Sequence, residues 1–168
     1  AIGLLFALSL LCVGCENEDI LDINDLEISP SNPESVIIVE PDDGITSVNA
    51  LTRAINENGD ATYILRRDGV YYMEGKNVFK HNVVIKAENG SGKMPIIQPI
   101  CDAQGALNAD MIRLEGSATF ENIYIIGKDA ATGNLMQRLF RIDESNVRLK
   151  FDHCFICLLY TSPSPRDA

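Results

Sequence analysis

The chain has 168 residues, 46% of them hydrophobic, and a formal net charge of -10. That length allows one domain at most once processed ends are set aside. The charge is uneven: residues 16–44 carry ten acids and no base, whereas residues 45–168 carry 14 of each. The bulk of the chain is therefore neutral. Without a basic face, nucleic acid is excluded as a partner.

In chain order, the first segment is an apolar run from Ala1 to Leu11 that ends in Cys12-Val-Gly-Cys15. It is too short to span a bilayer and has the length of the apolar part of a signal peptide. The Val13-Gly14-Cys15 ending resembles a bacterial lipobox, in which small residues admit the lipoprotein signal peptidase and the cysteine thiol receives a diacylglyceryl group. That resemblance implies an incomplete signal peptide over residues 1–14 and lipidation at Cys15. The membrane is then a partner through the lipid anchor. Residues 15–44 read as a tether, extended by self-repulsion between the acids and stiffened at Ser29-Pro-Ser-Asn-Pro33. Acids directly behind the cysteine also resemble the surface-export signal of Bacteroidota lipoproteins, which implies an outer-membrane protein exposed at the cell surface. A plain flexible spacer accounts for the same residues.

At the other end, Cys157-Leu-Leu-Tyr-Thr-Ser-Pro-Ser-Pro-Arg-Asp167 resembles the translation of a transposase sequencing adapter. On that reading residues 157–168 are foreign, and the domain over residues 45–156 is truncated. Of the five cysteines, this leaves Cys101 and Cys154. Two cysteines so far apart make neither a disulfide framework nor a metal-ligand spacing, and read as small buried hydrophobes or a single bridge.

Between the ends, Val36 to Val39 is a strand signal followed by the turn residues Pro41-Asp-Asp-Gly44. A helix follows: Thr46 or Ser47 can cap it, Val48, Leu51, Ala54 and Ile55 fall on one face, and Gly59 stands where a helix terminator takes positive φ. Short strands are then expected at residues 63–65, 70–72, 82–85, 94–97, 111–114, 120–126, 139–142 and 147–156. Asp68-Gly69 would suit a tight hairpin if the fold were a β-sandwich.

An internal repeat argues for stacking instead. Phe120-Glu-Asn-Ile-Tyr-Ile125 aligns with Phe151-Asp-His-Cys-Phe-Ile156 at a spacing of 31, and Ile112-Arg-Leu-Glu115 aligns with Phe140-Arg-Ile-Asp143 at 28. Asn82-Val-Val-Ile85 aligns more faintly with Asn122-Ile-Tyr-Ile125. Periods of this size mark units that bury a face against the next unit. Like residues would lie about 4.8 Å apart, Phe over Phe and Asn over His.

The run Ser47 to Ile55, then Tyr63-Ile-Leu65, Asp68-Gly-Val-Tyr71 and Asn82-Val-Val-Ile-Lys-Ala87, resembles the N-terminal cap and first coils of pectate-lyase-like proteins. Met94-Pro-Ile-Ile97 and Phe120 to Gly127 continue the likeness. It implies an all-β fold, a right-handed parallel β-helix (solenoid) with an N-terminal capping helix. Two functions follow as expectations. One is an exported, glycan-associated protein that binds polysaccharide without cleaving it, for which exposed aromatics on one face are expected. The other is a polysaccharide lyase that cleaves acidic, uronate-containing glycans by β-elimination. That chemistry needs a cation, calcium for instance, or an arginine to offset the carboxylate charge, and a base within reach of the C5 proton.

No cofactor is evident from the residues, and no close metal-ligand set is present. Asp102 and Asp110 flank a loop that lacks the dense Asp/Asn/Gly spacing of a calcium loop. Arg113 and Arg141 fall at outward positions of successive coils and are the catalytic candidates with His153. Each has a second reading. The arginines would form an exposed charge ladder worth about 0.2–1 kcal/mol per pair, and His153 would be a polar ladder position equivalent to Asn122.

Overall fold

The computed structural model describes residues 35–157. Cys15, most of the acidic tether and the residues after Cys157 lie outside this range. Among the described residues there are twelve strands and one helix. In order they are β1 (Val36–Val39), α1 (Ala50–Asn58), β2 (Ala61–Leu65), β3 (Val70–Glu74), β4 (Val78–Phe79), β5 (Val83–Ala87), β6 (Ile96–Ile100), β7 (Asp110–Leu114), β8 (Ala118–Glu121), β9 (Tyr124–Ile126), β10 (Arg138–Ile142), β11 (Leu149–Asp152) and β12 (Phe155–Cys157).

The strands form three sheets of order β1-β2-β5-β8-β11, β3-β6-β9-β12 and β4-β7-β10. Every pairing within them is parallel. From β2 onward, each successive trio of strands gives one strand to each sheet. Strands adjacent in sequence are therefore never partners, and the hairpin allowed at Asp68-Gly69 does not form: β2 and β3 lie in different sheets. The mostly β, stacked parallel arrangement is compatible with a solenoid.

The repeat seen in the sequence is the register of this stack. Phe151 stands over Phe120 and Phe155 over Tyr124, while Phe140 stands over Ile112 and Arg141 over Arg113. The fainter alignment was misplaced. Val83 and Ile85 pair with Ala118 and Phe120, so Asn82 lies level with Ser117, not Asn122. Its Oδ1 accepts the Ser117 N–H at 3.0 Å. The two stretches expected as single strands at residues 120–126 and 147–156 are each broken in two, because Asn122 and His153 take positive φ (57° and 49°) and turn the chain from the first sheet to the second.

Inward positions make one continuous core. Ile37, Tyr63, Ile85, Phe120 and Phe151 line up across the first sheet, and Tyr71, Ile97 and Ile125 across the second, where Ile156 continues the column but is exposed. Burying each such side chain stabilises by about 1.5–3 kcal/mol. Phe120 packs on Phe140 and Phe151 with ring centroids 5.5 and 5.6 Å apart. At the other end α1 lays Leu51, Thr52 and Ile55 onto the first strands. Among the described residues no buried side-chain polar atom lacks a partner.

The helix begins later than its sequence pattern suggests. Asn49, in left-handed conformation, is the boundary residue and makes no side-chain cap. Thr46 and Ser47 do not cap it either. The buried Asp42 carboxylate accepts from the Ala50 N–H (3.2 Å), the Ser47 hydroxyl (2.8 Å) and the Tyr72 N–H (3.0 Å). A carboxylate at a helix start meets the positive end of the helix dipole, so this one group both starts α1 and fastens it to β3. Gly59 ends the helix as expected, with φ 73° and its N–H on the Ile55 carbonyl. Gly116 is fixed for a different reason: a Cβ there would lie 2.3 Å from the His81 carbonyl oxygen of the coil below.

Candidate functional site

Three groupings carry chemistry-bearing side chains, one for each sheet or corner of the stack. The first lies on the sheet of β4, β7 and β10. Parallel register brings Arg141 directly over Arg113, as the repeat predicted. The two do not simply form an exposed ladder. Asp110, at the head of β7 and fully buried, receives Arg113 Nε on one oxygen at 3.0 Å and Arg138 Nε on the other at 2.5 Å. Arg141 Nε bonds Asp143 at 2.5 Å, and its Nη1 lies 3.9 Å from Asp110. Arg113 Nη1 lies 3.9 Å from Asp143 and closes the ring.

Burial opposes the charge on Asp110, and the Arg138 and Arg113 guanidiniums outweigh it, so the carboxyl stays below its ordinary 3.8. Three arginines face two aspartates, leaving the group one positive charge in excess. Among the described residues, the bonds that Arg138 makes run through Nε, so its Nη donors are left for water or an anion. Arg138 was missed in the sequence reading. The signal was there, since it stands over Asp110 in the same register that puts Phe140 over Ile112, but a register is legible only once the strand start is known.

His153 is not brought to this group. It sits at the corner between β11 and β12, exposed, with Nδ1 2.6 Å from Asp152. Its positive φ matches that of Asn122 one coil earlier, which is the ladder role. The acids flanking the loop before β7 are also engaged. Asp110 is committed to arginines, and Asp102 Oδ1 accepts the N–H groups of Gln104 (3.0 Å) and Ala106 (2.8 Å). Cys101 and Cys154 are free and half-buried, neither bridged nor fully enclosed. The Cys101 thiol is pushed up by burial and by the adjacent Asp129 carboxylate.

The second grouping is the outward face of the sheet of β3, β6, β9 and β12. Val70, Ile96, Tyr124 and Phe155 form one column, and beside it Tyr72 pairs with Gln98 and Ile126 with Cys157. Phe155 is 64% exposed and meets Tyr124 edge to face at 6.2 Å. Tyr72 is half-buried, and a Cβ on Gly44 would lie 2.8 Å from its ring. An apolar, aromatic strip thus runs along the stack with one amide, Gln98, inside it.

No family model and no curated protein matches the chain.

The third grouping is an open groove of ≈ 330 Å³ between β1 and α1, with Ile37, Ala50 and Ala54 in its wall and Glu40, Arg53 and Glu57 among its lining. Both signs of charge are present there, and they select no ligand. Among the described residues no helix is long and apolar enough to cross a membrane.

Proposed function

We propose that the chain is an exported lipoprotein, anchored through Cys15 in the outer membrane and held at the cell surface by its acidic tether, that binds glycan without cleaving it. Residues 35–157 are read as a right-handed parallel β-helix capped by α1. The strand order supports this, since crossovers between parallel strands of one sheet are right-handed in almost all proteins. So does the sequence likeness to pectate-lyase-like proteins.

The observation that carries the binding reading is the aromatic strip. Sugar rings present apolar C–H faces that pack on aromatic rings, while their hydroxyls need polar neighbours. Tyr124 and Phe155 on adjacent strands, with Gln98 on the same face one column over, supply that combination. Fold by itself confers no activity, so the test must be of binding.

The full chain is passed through gels containing a soluble neutral glucan or polygalacturonate and its retardation measured. Retardation by at least one is expected, with a loss of about tenfold or more in affinity for the double variant Tyr124→Ala/Phe155→Ala, because paired aromatic contacts are worth about 0.5–1.5 kcal/mol each. A folded double variant that binds as the parent does would sink the aromatic reading. The lyase reading is favoured by one specific feature, Arg141 over Arg113 with positive charge in excess. It predicts new ultraviolet absorbance from the unsaturated uronate ends released from polygalacturonate, lost in Arg141→Ala; no absorbance removes it.

A further inference from the structure

We infer that Asn89 is a site of spontaneous covalent change, in which its side-chain amide is converted to a carboxylate through a cyclic imide formed with Gly90. Two Asn-Gly pairs occur among the described residues, Asn58-Gly59 and Asn89-Gly90. The reaction needs the same atoms in both. The backbone nitrogen of the glycine, on losing its proton, attacks Cγ of the asparagine. A C–N bond forms, the Cγ–Nδ2 bond breaks, and ammonia leaves. Water then opens the five-membered imide at one of its two carbonyls and gives aspartate or isoaspartate. No oxidant or enzyme enters the balance.

The fold treats the two pairs oppositely. Asn58 is the last residue of α1, with Nδ2 donating to the Ala54 carbonyl at 2.8 Å. The Gly59 N–H, the nucleophile, is held on the Ile55 carbonyl at 2.9 Å. Attack at Asn58 therefore requires the end of the helix to open.

Asn89 lies at the tip of the turn between β5 and β6, where Asn89, Gly90, Ser91 and Gly92 are all exposed. Only the feet of this turn are fastened. Arg67 donates to the carbonyls of Glu88 (2.9 Å) and Gly92 (3.0 Å), and Asp68 accepts the Lys93 N–H at 3.2 Å. At the tip, a Cβ on Gly90 would meet nothing within 4 Å, and its φ of 127° is open to glycine above other residues. Among the described residues no backbone hydrogen bond ties the Gly90 N–H. The nucleophile is free to approach Cγ, and water can reach the imide. The product places a new negative charge beside the Arg67 clamp.

The test keeps the full chain folded in warm, mildly alkaline buffer and follows both peptides by mass spectrometry, with isoaspartate distinguished from aspartate by fragmentation. The Asn89 peptide is expected to convert about tenfold or more faster than the Asn58 peptide, since attack at the latter waits on local opening. In denaturant the two rates should converge, and Asn89→Gln should abolish the fast product in the folded chain. Equal rates in the folded chain, or an Asn89 that keeps its amide as long as Asn58 does, would overturn the inference.

Discussion

Phe120 and Phe151 hold the same place in successive coils, with stacked rings 5.6 Å apart, yet Phe120 is fully buried and Phe151 only partly so. The difference lies in the neighbours. Phe120 has a strand on either side, β5 and β11, whereas among the described residues β11 has only β8 beside it. Burial in a stack is conferred by the coil above and below rather than by the residue itself. The other end obeys the same rule, with α1 in place of a coil. The largest expected effect follows: Phe120→Ala should destabilise the domain by about 3–5 kcal/mol, as for other buried phenylalanines, and Phe151→Ala by less than half of that. Urea unfolding of both variants measures this, and equal losses would show that the last coil is packed as tightly as the middle one.

The arginine group joins the two regions, Asp110 on β7 to Arg138 on β10. Removing one partner of a buried pair usually costs about 3–5 kcal/mol. Here the arginines are partly exposed and can return to water, so Asp110→Ala is expected to cost about 2 kcal/mol. The carboxyl is held below its ordinary 3.8 in the folded chain. Its contribution is therefore complete above that value and is lost as pH falls through the lower, folded one. Wild type should lose stability steeply in acid, and Asp110→Ala should lose less over the same range. Parallel pH profiles for the two proteins would show that Asp110 does not supply the acid sensitivity.

What could be read from the sequence divides along a similar line. The stack, the place of the helix, Phe over Phe and Arg over Arg were legible, because a repeat of residue types is itself a statement of register. The corners were not. Asn122 and His153 look like strand residues in an alternating pattern, and only their positive φ shows that they split it. Asp42 starting α1 from eight residues away is a long-range contact with no local signature. The arginine group was half legible: Arg113 and Arg141 follow from the repeat, while a buried Asp110 as their common partner depends on where β7 begins. The aromatic strip needed the assignment of strands to sheets before Tyr124 and Phe155 could be seen to share a face.

The corners supply the smallest of these effects and the finest comparison. A left-handed backbone is tolerated by asparagine but costs a branched side chain about 1–2 kcal/mol. Asn122→Val should lose about that amount, and Asn122→Gly only a few tenths of it, because glycine meets no Cβ conflict. His153 has the same φ sign one coil later, next to exposed Phe155 and Ile156. If the last coil opens before the rest of the domain, the strain in His153→Val is relieved by that opening, and the global loss should be well under about 1 kcal/mol. His153→Asn should be neutral or slightly stabilising. Equal penalties for the two valine substitutions would mean that the last coil unfolds together with the middle one, and that its greater exposure marks a surface held in place rather than an end that frays.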